Sequence, residues 1–156
     1  MIIVTDQLSS LVSRFLQVAA LAGVDVAAED IGEEVWPPPH RATGLPKGYM
    51  AVYVFLYQGK ALKVGKAGPN SDARYRSQHY NAGSAPSTLA ASILKRPEAV
   101  QAPNIDVESV GEWIRQNTER RNYLSKREMG ISLLSLLEAF IQCSLNPAYE
   151  GFESQQ

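Results

Sequence analysis

The sequence predicts an α/β (α+β) protein: a small three-stranded, mostly antiparallel sheet flanked by helices, with a helical appendage in front. Three observations carry that expectation. The run "YMAVYVFLY" (49–57) is apolar, aromatic and β-branched; "QGK" can turn, and "ALKVGK" returns as a second strand, which is a hairpin pattern. The stretch "ISLLSLLEAFIQCSL" (131–145) puts Leu133, Leu134, Leu137, Phe140, Ile141 and Leu145 on one helical face. The opening segment "LSSLVSRFLQVAALAG" does the same with Leu8, Leu11, Val12, Phe15, Val18 and Ala19.

Taken in order, Thr5 or Asp6 is positioned to cap the first helix and Gly23 to stop it. A second short helix is expected over "VAAEDIGEEV" (26–35). The two together loosely suggest a helix-turn-helix, but the second is acidic and would face phosphates badly, so an accessory pair covering the core is the better expectation. "WPPPHRATGLPKG" then separates an appendage (1–47) from the main domain (48–156). After the hairpin, Ser71 or Asp72 can cap a short helix through "DARYRSQHY", and another begins at Ser87 in "APSTLAASILKR". Ser109 and Glu112 have the S-x-x-E spacing of a capping box for "VGEWIRQNTER". "NYL" (122–124) is a candidate third strand, and the last helix ends before Asn146-Pro147.

No apolar run is long enough to span a bilayer, and the first residues lack the basic start and cleavage site of a secretory leader; a cytoplasmic location is expected. Cys143 is the only cysteine, which excludes an internal disulfide and a Cys-based zinc site; it reads as a small buried apolar residue. The formal net charge of −1 hides an asymmetry. Residues 1–50 hold six acids and three bases, 97–156 nine acids and five bases, whereas 51–96 hold seven bases and only Asp72. A basic segment in an otherwise acidic chain points to a local anion site, although a solvated charged face gives the same composition.

The chemistry-bearing candidates are few. Glu138 adjoins the buried stripe of the last helix with no base one turn away; a carboxylate there points to solvent, pairs, or binds a cation. There is no His pair at metal spacing, no Gly-rich loop ending in Gly-Lys-Ser/Thr, and no supported hydrolase triad.

In order and spacing, these pieces resemble the GIY-YIG nuclease superfamily over about two-thirds of the chain. "AVY" (51–53) stands at the first motif and "KVG" (63–65) at the second. Arg74 and His79 follow, and Glu138 opens "LEAFIQCSLNPAYEG", similar to the family's Glu helix and Pro-x-Tyr segment. Ala51 replaces the first glycine and Lys63 the second tyrosine; the lysine form is similar to small type II restriction endonucleases. The late Asn of the family appears as Glu150 with Asn146 close by, which leaves that role open.

The resemblance implies a metal-dependent DNA endonuclease. Tyr53 would accept a proton from the attacking water, Lys63 on the neighbouring strand would make its phenolate accessible, and Arg74 would hold the scissile phosphate. His79 would position the phosphate or hydrogen-bond Tyr53. Glu138 would bind one divalent ion, Mg²⁺ or Mn²⁺. Lys66, Arg76 and Tyr80 are expected nucleic-acid contacts, Tyr80 by packing its helix or stacking on a displaced base. Each residue also has an ordinary structural role open to it. A catalytically idle nucleic-acid-binding module, an RNA or structure-specific nuclease, and a helical regulatory protein are the competing functions. Cutting both strands at one site would need two active sites and so a homodimer.

Overall fold

The computed structural model describes residues 4–149 other than 86 and 103, and it is a mixed α/β fold. Among the described residues there are six α-helices and one four-stranded sheet, in which every pair is antiparallel and the order is β1-β4-β2-β3. The strands are β1 (Gly32–Trp36), β2 (Tyr49–Tyr57), β3 (Lys60–Ala67) and β4 (Glu119–Lys126). The helices are α1 (Val4–Ser9), α2 (Leu11–Leu21), α3 (Asp72–Arg76), α4 (Leu89–Lys95), α5 (Val110–Asn117) and α6 (Ile131–Leu145). No helix among the described residues is long and apolar enough to cross a membrane.

The opening helix is interrupted. It already includes Thr5 and Asp6, and it breaks at Ser10, where the hydroxyls of Ser9 and Ser10 both donate to the Asp6 carbonyl at 2.9 and 3.2 Å. Serine hydroxyls compete with the helical ladder in this way. Gly23 ends α2 with φ +74°, and the Gly23 and Val24 amides donate to the Ala20 and Ala19 carbonyls.

The expected second helix is not one. Residues 28–30 form a single 3₁₀ turn, closed by the Asp30 carboxylate accepting from the Ala27 amide at 2.9 Å, and Gly32–Trp36 pair with β4 as the fourth strand. Glu33, Glu34 and Val35 are exposed there, and Glu33 pairs with Arg121 at 3.4 Å. Charge on a sheet edge discourages pairing with other chains, and it also mimics the polar face of a helix in sequence.

The hairpin forms as the residues dictate. Gln58 and Gly59 both have positive φ, +48° and +73°, the backbone of a two-residue turn whose twist matches antiparallel strands. β2 is buried along nearly its whole length because both of its faces are covered. Met50, Val52, Val54 and Leu56 pack with Leu11, Phe15, Leu133, Leu137 and Ile141 under α2 and α6. Ala51, Tyr53 and Phe55 face a second core with Leu62, Tyr75, Tyr80, Leu89, Ile93 and Ile114 under α3, α4 and α5.

Three smaller expectations also change. Thr88, not Ser87, caps α4, its hydroxyl accepting from the Ala91 amide at 3.1 Å. Ser109 makes no capping bond; Asp106 instead accepts from the Glu108 and Ser109 amides, and Glu112 accepts from Gln116 at 2.8 Å. Cys143 is exposed rather than buried, since it lies on the outer face of α6.

Candidate active site

The site is assembled where both faces of the sheet meet at β3, an outer strand. Side chains alternate along strands, so Tyr53, Phe55, Lys63 and Gly65 share one face while Val52, Val54, Val64 and Lys66 share the other. Tyr53 stands directly opposite Gly65, and its ring lies across that residue. A Cβ added at Gly65 would sit 2.7 Å from Tyr53 Cε2 and 2.8 Å from the phenol oxygen. The glycine therefore fixes where the hydroxyl can be. Gly65→Ala is expected to lower stability by roughly 1–3 kcal/mol, the range for overpacking a closed core. Urea denaturation checks this; a wild-type midpoint would show that the ring is free to move.

His79, in a 3₁₀ turn at Gln78–Tyr80, completes the tyrosine's surroundings. Its Nδ1 accepts from the Leu89 amide at 3.1 Å, and an amide only donates, so the neutral ring carries its proton on Nε2. Nε2–H donates to the Tyr53 oxygen at 2.6 Å. Both residues are 0% exposed. Burial, with Arg74, Arg120 and Lys63 adding to it, holds His79 well below the usual histidine range. Burial likewise pushes Tyr53 up to about 12, against the pull of Arg74 and Arg120 and with Glu138 adding to the rise. This differs from the sequence expectation in two respects. Burial outweighs the cations, so the free protein holds Tyr53 as a phenol, and the cations acting most strongly on it are Arg74 and Arg120. Lys63 acts instead on His79, is 5% exposed, and donates to the Tyr149 carbonyl at 3.3 Å.

These shifts fix how stability changes with pH. His79 and His40 are depressed in the folded state, so their contribution is present above 6.5 and is lost as pH falls below it. Tyr53 and Tyr75 are raised to about 12, so theirs is present below 10.0 and is lost as pH rises toward 12. The melting temperature should be highest between pH 6.5 and 10.0 and fall on both sides. Thermal melts from acid to alkaline buffer test this, and a maximum below the histidine range would contradict it.

Tyr80, expected as a nucleic-acid contact that packs its helix or stacks on a displaced base, does the former: it is 5% exposed, lies in the core and offers no face to a base. Its hydroxyl meets His40 Nε2 at 2.8 Å and receives a bond from Arg120 Nη1 at 3.2 Å. His40, drawn from the Pro-rich connector, is also buried, with Nδ1 2.8 Å from the Thr118 carbonyl. Arg120 was invisible to sequence reasoning; it sits among Trp36, Tyr53, Phe55 and Tyr75 with no exposed surface. The only hint is an arginine at alternate spacing with Asn122 and Leu124 in a short strand.

On the other face, Glu138 of α6 pairs with Lys66 at 3.3 Å, and Lys66 also donates to Ser135 at 3.3 Å. The Glu138 side chain is 20% exposed, so it is reachable from solvent. Among the described residues no group of three acidic, His or Cys side chains gathers as a metal cage. A single carboxylate suits Mg²⁺, which keeps several waters and takes the remaining ligands from phosphate, and suits no ion that needs an all-protein cage. Arg76, the other expected contact, pairs with Asp72 at 3.6 Å on an exposed helix face. The segment after Pro147 runs along β3, with the Ala148 and Tyr149 amides donating to the Ala61 and Leu62 carbonyls. Asn146 caps α6 in the left-handed region, and Glu150 lies outside the described residues.

No family model, curated protein or solved structure matches the chain. Its chemistry is therefore read from the side chains themselves. Tyr53, His79 and Arg74 form one group, and Glu138 with Lys66 forms another that is electrostatically coupled to Tyr53. A phenol oxygen with a donor behind it, a guanidinium beside it and a lone carboxylate nearby can take a proton, hold an oxyanion and carry one hydrated cation.

Proposed function

We propose that the chain is a metal-dependent endonuclease of the GIY-YIG type that hydrolyses phosphodiester bonds in DNA. The observation that carries this is the fixed Tyr53 oxygen: laid over Gly65, receiving a hydrogen bond from neutral His79, and lying within electrostatic reach of both Arg74 and Glu138. Because His79 donates, the bond strengthens as Tyr53 becomes anionic, so the pair favours a tyrosine acting as proton acceptor. Once Tyr53 has lost its own proton to solvent, its phenolate takes the proton of a water attacking phosphorus. The bond to the 3′ oxygen breaks and that oxygen leaves with a proton from solvent, while the added charge on the phosphoryl oxygens rests on the Arg74 fork. Glu138 would hold the divalent cation, Mg²⁺ or Mn²⁺, which when bound supplies positive charge at the phosphate and the leaving oxygen. Lys66 then exchanges its carboxylate partner for a phosphate, and burial, with Arg74, Arg120 and Lys63 adding to it, keeps His79 neutral.

Access to the Tyr53 oxygen requires side chains at the β3 edge to move, since that residue is 0% exposed. The same observation, with Glu138 already paired to Lys66, favours a second reading, an idle nucleic-acid-binding module. Parallel incubation with supercoiled plasmid, single-stranded DNA and RNA, in Mg²⁺ or Mn²⁺ with and without chelator, separates them. Chelator-sensitive cleavage of plasmid supports the DNA endonuclease. Cleavage of RNA alone moves the substrate, and binding without cleavage of any substrate contradicts the enzyme. Linearisation at one site would further require two protomers acting together.

A further inference from the structure

Arg120 is a cation placed where cations are costly. It is 0% exposed, and its guanidinium carbon lies 4.6 Å from the ring centroids of both Tyr53 and Tyr75, 4.8 Å from Trp36 and 5.2 Å from Phe55. Nε donates to Asn122 Oδ1 at 2.8 Å and Nη1 to Tyr80 at 3.2 Å, while Nη2 has no hydrogen-bond partner among the described residues. No carboxylate among the described residues pairs with it. Burying an unpaired charge lowers stability, and an apolar side chain of similar volume often serves the fold as well or better. The register explains what the charge faces: Arg120 is opposite Phe55 and Asn122 opposite Tyr53, so the guanidinium lies behind the Tyr53 ring, away from Gly65.

We propose that Arg120 is a positioning residue for Tyr53, holding the ring against Gly65 and favouring its phenolate over its phenol without touching the substrate. A cation over a ring face is attracted by the quadrupole of a neutral phenol and far more strongly by the charge of a phenolate, so its effect is differential. The other charged or titratable groups bearing on Tyr53 come from each surrounding element: His79 in the 3₁₀ turn, Arg74 on α3, Tyr75 on the same helix with its ring edge-on to Tyr53, Glu138 on α6, and Lys63 on β3 through His79. Arg120 works on both members of the hydrogen-bonded pair, opposing protonation of His79 as well as of Tyr53. It thereby adds to the burial that keeps the histidine a neutral donor, while it assists the tyrosine anion.

This inference rests on the assignment of Tyr53 as proton acceptor, and its test uses one readout that needs no cleavage. In the full chain, Arg120→Met and Arg120→Gln remove the charge, and Arg120→Lys keeps it. With tyrosine labelled at ¹³Cζ and the Tyr53 signal identified by Tyr53→Phe, the neutral variants should ionise Tyr53 at a pH higher by about one unit or more. The pH–kcat profile should move by the same amount, with KM unchanged and Arg120→Lys restoring most of the wild-type profile. An unmoved Tyr53 signal overturns the proposal, as does an equal loss in all three variants with no shift of the profile. If both neutral variants fail to fold while Arg120→Lys folds, the cation is structural and the proposal is overturned. A wild type that cuts nothing removes the nuclease assignment, and the ¹³C titration then decides the coupling between Arg120 and Tyr53.

Discussion

Arg74→Ala is expected to slow phosphodiester cleavage by about 10³-fold or more, the cost of removing a guanidinium that meets transition-state charge on a phosphoryl group. The loss should lie in kcat, because the added charge exists only in the transition state. Two consequences distinguish it from a folding defect. Arg74 is only half-buried, so the thermal midpoint should change little. Its removal should also raise Tyr53 further and release His79 upward, since Arg74 pulls both down. Arg74→Lys restores charge without the planar fork and should recover only part of the rate. Single-turnover cleavage at several pH values checks the set, and an Arg74→Ala variant that cuts at the wild-type rate contradicts it.

Glu138→Ala should abolish metal-dependent cleavage while leaving nucleic-acid binding intact or slightly tighter. Among the described residues the carboxylate is the one acidic side chain of the site, so its loss removes the cation's protein ligand. It also frees Lys66 for phosphate and takes away one negative charge from the surface a polyanion must approach. Stability should fall by no more than about 1 kcal/mol, because the Lys66 partner is well exposed and solvent screens the pair. Fluorescence anisotropy without metal, beside plasmid cleavage with it, measures the two effects. Loss of binding equal to the loss of cleavage would make Glu138 a structural residue.

The legible parts of this fold are those whose local chemistry agrees with their place in it. Gln58-Gly59 between two apolar runs specifies a hairpin, and the leucines of α6 specify a helix, before any tertiary contact is known. β1 was illegible because Glu33 and Glu34 serve an exposed sheet edge and look like the polar face of a helix. β4 was legible only as "NYL" because Arg120 and Ser125 on either side of it are polar residues that the fold nevertheless buries. The site divides along the same line. Tyr53, Arg74 and His79 stand in a short linear order and do assemble. Lys66 rather than Lys63 meets Glu138 because strand alternation sends Lys66 to the α6 face, a distinction of one register step. Tyr80 could not be placed from sequence: its burial depends on His40, which arrives from a Pro-rich connector with no periodic pattern. The Arg120 cage is made by Trp36, Tyr53, Phe55 and Tyr75, residues from two strands and a helix that only the folded sheet gathers.

The most direct measurement is Mg²⁺-dependent nicking of supercoiled plasmid under single-turnover conditions, with wild type and Tyr53→Phe side by side across pH. Wild type should nick only when metal is free, and its rate should rise with pH as Tyr53 gives up its proton. Tyr53→Phe should be slower by about 10²-fold or more, as expected for losing a proton acceptor, and should lose that pH dependence. Folded Tyr53→Phe that nicks at the wild-type rate, with the wild-type pH profile, would contradict the assignment of Tyr53 and the nuclease mechanism built on it.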